Sequence, residues 1–169
     1  MWNSRLEFLE KHYYHVCNYW FDKHDLFKDG SDFEKIYKIV SKYSADYKKN
    51  IKLISYCYLP NHFHFVFYCL ETWFSVSDFM RKVQLSYAIY LKNKYLDYTK
   101  WQPIFNWRFK SKMLEWQDYL YKTIAYVNYN PVKHKLVEDI KDYKYTSYHK
   151  ILNKETFQKY IDVELLELE

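Results

Sequence analysis

Residues 51–59 and 62–69 both alternate along their length, and only Pro60-Asn61 separates them. Two such runs joined by two residues return on each other as an antiparallel hairpin. The second run reads His62-Phe63-His64-Phe65-Val66-Phe67. Successive side chains of a strand point to opposite faces, and same-face neighbours lie roughly 6.5–7 Å apart along the chain. Phe63, Phe65 and Phe67 are therefore expected to face a core, while His62 and His64 share the other face. Two imidazoles at that spacing can converge on one metal ion. With 7 His in 169 residues such a pair is weak alone, and its weight depends on what the rest of the chain brings beside it.

The flanking segments predict an α+β sandwich. Residues 12–20 are aromatic and β-branched and read as a first strand. Asp29-Gly30-Ser31 is a turn, with Ser31 or Asp32 expected to cap a helix whose stripe is Phe33, Ile36, Tyr37, Val40, Tyr43 and Tyr47. A long helix is expected from Ser75 or Ser77 to Tyr95, with Phe79, Val83, Tyr87 and Tyr90 or Leu91 inward. Residues 104–112 read as a short fourth strand. A helix over about Glu115–Tyr129 follows and is expected to end near Asn130, because a residue before proline avoids the helical region. This order predicts an antiparallel sheet with helices on one face and an active site on the other. Length predicts a single domain over 1–169, with an acidic tail at about 153–169.

Charge points to the partner class. The net charge is +5, yet residues 162–169 hold four acids and no base, which leaves +9 on the remainder. A basic body of this size suits a polyanion, most plausibly nucleic acid. Residues 81–112 concentrate the effect, with Arg81, Lys82, Lys92, Lys94, Lys100, Arg108, Lys110 and Lys112 against Asp97 alone. Arg81, Lys82, Arg108, Lys110 and Lys112 are the candidate DNA contacts, and Trp101 or Trp107 is available to stack on an unpaired base. Cys17, Cys57 and Cys69 form no Cys-x-x-Cys and read as free thiols of a reducing, cytoplasmic compartment, close to the nucleoid if DNA is the partner. No apolar stretch approaches the ~18–20 residues of a membrane helix, so no membrane partner is expected.

The second chemical element is Tyr126-Val127-Asn128-Tyr129-Asn130-Pro131-Val132. On a helix Tyr126 and Asn130 stand one turn apart on one side. Two neutral imidazoles and an amide oxygen bind a divalent cation without cancelling its charge, leaving a Lewis acid open to phosphate oxygens. A tyrosine beside it can attack the polarised phosphorus and store the phosphodiester bond energy as a phosphotyrosine.

Four segments together resemble the single-tyrosine transposases of the HUH endonuclease superfamily, most nearly the REP-associated tyrosine transposases and their insertion-sequence relatives. Leu59-Pro60-Asn61-His62-Phe63-His64 matches the family's Pro-Asn turn and His–hydrophobic–His strand. Tyr126-Val127-Asn128-Tyr129-Asn130-Pro131-Val132 matches its Tyr-Ile/Val-x-x-Asn-Pro-Val helix. Pro103–Ser111 resembles its Phe-x-x-Arg-Phe-Lys stretch, and Asp142–Tyr148 its Trp-Ser-Ser-Tyr-like segment. The resemblance implies a ferredoxin-like HUH endonuclease fold. It implies Tyr126 as nucleophile, His62 and His64 as metal ligands with Asn130 as a third, and Mg²⁺ or Mn²⁺ as the metal. The implied reaction is cleavage of single-stranded DNA beside a hairpin, giving a 5′-phosphotyrosine and a free 3′-OH, by a monomer or a homodimer. The alternative is a domesticated hairpin-binding protein that no longer transposes.

Departures are specific. The family's Asn-Arg-Gly after the first strand is replaced by Asn18-Tyr19-Trp20, and its glycine in the fourth-strand motif by Trp107. The acidic tail has no family counterpart and is expected to fold over the basic cleft. A histidine-triad nucleotide hydrolase would need a third histidine where Val66 stands. His12, His15, His24, His134 and His149 show no partner in the sequence pattern and are read as structural.

Overall fold

The computed structural model describes residues 8–21, 25–71, 74–95, 103–106 and 108–151. Strand β1 (Tyr13–Tyr19) leads to helix α1 (Gly30–Asp46), the hairpin β2 (Ile51–Leu59) and β3 (His62–Cys69), helix α2 (Phe74–Lys94), strand β4 (Lys110–Leu114) and helix α3 (Gln117–Lys133). Two 3₁₀ turns, Ile140–Asp142 and Tyr148–Lys150, follow. The sheet is antiparallel throughout, in the order β2-β3-β1-β4. With one helix after β1 and one after β3, this is the expected ferredoxin-like α+β arrangement.

The hairpin closes at Leu59 opposite His62, so Pro60-Asn61 is a two-residue connection. Its backbone is held from outside: Pro60 carbonyl accepts from the amides of Leu26 and Phe27, and Asn61 carbonyl from Trp20 N–H. Alternation then divides β3. Phe63, Phe65 and Phe67 are fully buried against Phe33, Ile36 and Val40 of α1 and Val76, Phe79, Val83, Tyr87 and Leu91 of α2. Burying each such side chain stabilises the fold by roughly 1.5–3 kcal/mol, so this face holds the main core.

Helix α1 starts two to three residues earlier than the sequence suggests. Asp29, not Ser31 or Asp32, is the N-cap, accepting from the amides of Ser31 and Asp32, while Asp32 reaches back to the Asp29 amide to close a capping box. Asp32 is fully buried, and Lys94 (2.7 Å), Tyr90 (2.8 Å) and Tyr95 (2.7 Å) donate to it. This network ties the start of α1 to the end of α2.

Two boundaries differ from the expectation drawn from sequence. The fourth strand runs over Lys110–Leu114 rather than 104–112. Phe105 makes only an isolated bridge to Trp20, and pairing with β1 begins at Cys17–Lys110. Helix α3 does not stop at Asn130 but continues through Pro131 to Lys133. Pro131 gives up one backbone bond, yet His134 N–H reaches Asn130 carbonyl (2.8 Å) and Leu136 N–H reaches Pro131 carbonyl (2.9 Å), which close the extra turn.

Helix α3 covers the opposite face of the sheet from α1 and α2. Leu120 and Val127 pack on Cys57, Leu59, Val66 and Leu114. Asn128 sets its rotation: the amide donates to Ser55 Oγ (2.9 Å) and accepts from Ser147 Oγ (2.9 Å), with the two hydroxyls 2.8 Å apart. All three side chains are buried. The element order predicts helices on one face only; instead α1 and α2 cover one face and α3 packs on the face that carries the histidines, where Leu120 and Val127 bury against Leu59, Val66 and Leu114.

Candidate active site

His62 and His64 emerge from β3 toward α3, with ring centroids 5.0 Å apart. Tyr126, half-buried on α3, places its ring 5.8 Å from that of His64. Asn130, one turn on, is 1% exposed and donates its amide N–H to Tyr126 carbonyl (2.7 Å). That bond leaves Oδ1 of Asn130 buried with no hydrogen-bond partner among the described residues, and Nε2 of His64 is in the same condition. His62, His64 and Tyr126, singled out from sequence, therefore lie together, with Asn130 one helical turn beyond Tyr126.

The histidine surroundings favour neutral rings. Burial pushes the His62 imidazole down to about 4, with His134 adding a smaller effect in the same direction. Burial likewise holds His64 well below the ordinary value, helped by His15, His62 and His134. His62 Nδ1 is 2.5 Å from Asn61 Oδ1, an acceptor, so Nδ1 carries the proton and Nε2 keeps its lone pair. Neutral imidazoles and an amide oxygen are the types of donor that bind a divalent cation, although no cluster of three or more His, Cys, Asp or Glu placed to hold a metal occurs among the described residues.

Residues that sequence reasoning left as structural join the site. His15 on β1 lies 2.9 Å by Nε2 from His64 Nδ1, and its ring is 6.1 Å from that of Tyr126. His134 sits 5.4 Å from His62, and Tyr19 stacks on His62 at 4.8 Å. The signal for His134 was its place four residues after Asn130, hidden by ending the helix at the proline. For His15 there was no local signal, because its meeting with His64 depends on which strands pair. A cleft of about 230 Å³ opens beside His62, lined by Asp25, Pro60, Asn61, His134 and Leu136 among others. A larger cavity of about 540 Å³ between α1, β2 and α3 includes Tyr37, Ile54, Tyr56 and Tyr121 in its wall but no histidine or carboxylate among the described residues. The smaller cleft is the one that reaches a candidate site residue, His62, together with His134.

The five candidate DNA contacts divide. Lys110 and Lys112 on β4 pair with Cys17 and His15 and so share the histidine face. Their ammonium groups lie 5.5 Å from the Tyr19 ring and 4.7 Å from the Tyr119 ring. Arg108 is exposed just before β4. Arg81 and Lys82 are instead on α2, across the sheet, and both pair with Asp78 (2.6 and 3.2 Å). Lys133 adds a cation 5.4 Å from the Tyr126 ring. Trp101, Trp107, Lys100 and the acidic tail lie outside the described residues. Among the described residues no helix is long and apolar enough to cross a membrane.

Comparison with known proteins agrees with this fold. A solved structure of a REP-associated tyrosine transposase bound to a REP hairpin superposes with a TM-score of 0.69, at 17% identity over 86% of this chain and 81% of that one, which establishes the shared fold. A Haemophilus influenzae protein assigned as a REP-associated tyrosine transposase is 26% identical over 133 residues, 70% of this chain and 73% of that protein. The family model for IS200-like transposases matches residues 8–130, from the residues before β1 to Asn130. The chain belongs to the IS200-like transposases.

Proposed function

We propose that this chain is a metal-dependent single-stranded DNA endonuclease and strand transferase that cuts beside a hairpin through a covalent 5′-phosphotyrosine at Tyr126. The observation that carries the reading is that His64, its ring 5.8 Å from that of Tyr126, and Asn130, one turn on from Tyr126, each bury a polar atom with no partner among the described residues. Membership of a transposase family, and a fold neighbour described as bound to a REP hairpin, support the substrate class. DNA as substrate sets the site of action in the cytoplasm, at the nucleoid.

His62, His64 and Asn130 would hold a Mg²⁺ or Mn²⁺ ion, which when bound would supply Lewis-acid polarisation of a phosphoryl oxygen. Tyr126 Oη attacks phosphorus. The Oη–P bond forms as the bond from phosphorus to the 3′ oxygen breaks, the phenol proton leaves, and the departing oxygen becomes a 3′-OH. The phosphotyrosine conserves the bond, so the 3′-OH can reverse the step or another 3′-OH can complete strand transfer. Lys110 and Lys112 hold the strand's phosphates along the histidine face.

The test is incubation with hairpin-bearing single-stranded DNA and Mn²⁺ or Mg²⁺, reading strand cleavage and binding in parallel. Cleavage by the parent that disappears in Tyr126→Phe, with binding kept, is the expected result. Binding without cleavage in the parent makes the chain a hairpin-binding protein and overturns the nuclease reading.

A further inference from the structure

We infer that His15 is a positioning residue that fixes the tautomer of His64, accepting its Nδ1–H and so leaving its Nε2 bare. The consequence for metal binding rests on the reading of His64 as a ligand. The tautomer stands on geometry alone.

His15 Nε2 and His64 Nδ1 are 2.9 Å apart, and the two side chains are 4% and 2% exposed. At that distance one nitrogen donates and the other accepts. Two arrangements are possible. If His15 donated, His64 would carry its proton on Nε2, a buried N–H with no acceptor among the described residues. Orphaned buried donors are rarer than orphaned acceptors, which favours the opposite arrangement. There His64 Nδ1–H donates to His15, and Nε2 is a lone pair awaiting a cation. The register produces the contact: Cys17 opposes His64 and His15 opposes Val66, so His15 is the diagonal same-face neighbour of His64.

His15 is suited to accept. Its side chain is buried on β1 and brings Nε2 to 2.9 Å from His64 Nδ1. Asn61 does the same for His62. Two different residues, one in the hairpin turn and one on the neighbouring strand, thus give both β3 histidines the same Nδ1–H form. Such outer partners commonly change metal affinity 10- to 100-fold when removed.

The test is long-range proton–nitrogen correlation NMR on full-length, metal-free protein with ¹⁵N-labelled histidine, joined to Mn²⁺ titration. In the parent, His64 is expected with Nδ1 protonated and Nε2 bare. His15→Leu, lacking an acceptor, is expected to mix the tautomers and weaken Mn²⁺ binding by about 10- to 100-fold. His15→Gln, whose amide oxygen accepts, restores both. A protonated Nε2 in the parent overturns the inference, as does His15→Leu binding Mn²⁺ like the parent. A parent with the expected tautomer that takes up no Mn²⁺ sinks the metal reading of the site while the tautomer assignment holds.

Discussion

At the residue scale, the site consists of polar atoms buried before any ligand arrives. His62 illustrates the energetic consequence. Its folded value near 4 lies below the ordinary 6.5, so the unfolded chain binds more protons between those limits. Stability is fully present above about pH 6.5 and falls as pH drops toward 4. His62 alone accounts for a loss of about 2 kcal/mol between pH 7 and pH 5, and His15 and His64 shift the same way. Denaturant melts of metal-free protein at the two pH values check this, and equal midpoints would contradict it. The shared placement of His62 and His64 was legible because strand periodicity puts them on one face. Tyr126 was legible only through the Asn130-Pro131 register, since tyrosine is one of the commonest residues here (21 in all). His15 was not legible, because its chemistry comes from a partner 49 positions away.

At the element scale, α3 must hold its rotation for Tyr126 and Asn130 to face β3. Hydrophobic packing of Leu120 and Val127 tolerates slippage. The Asn128–Ser55–Ser147 network does not, because each partner has one geometry. Asn128→Ala is expected to cost about 1–3 kcal/mol, the price of leaving buried hydroxyls short of partners, and thermal unfolding measures it. An unchanged melting temperature would show that packing alone fixes the helix. The hairpin and both long helices were readable from periodicity and from Pro60-Asn61. The ends of β4 and α3 were not. A residue before proline usually leaves the helix, but Pro131 falls in the last turn and forfeits a single bond, which the turn through Leu136 compensates.

At the scale of the whole molecule, the sheet separates two jobs. One face buries the aromatic core under α1 and α2, and the other carries histidines, tyrosine and the β4 lysines. Counting bases along 81–112 overlooked this division, because linear charge density does not reveal which side of a sheet a residue occupies. Lys110→Ala and Lys112→Ala are each expected to lower the salt slope of single-stranded DNA binding by about 1. Arg81→Ala and Lys82→Ala, whose cations pair with Asp78 within α2 on the far face of the sheet, are expected to leave it unchanged. Affinity titrations over a salt series decide the matter, and equal slopes for all four variants would contradict the assignment of faces.

The most direct measurement is peptide mass spectrometry after incubation with hairpin-bearing single-stranded DNA and Mn²⁺. With 21 tyrosines in the chain, the position of a nucleotide adduct is informative. The account predicts one covalent phosphonucleotide, on Tyr126. An adduct on any other tyrosine, or strand cleavage with no adduct at all, would contradict it.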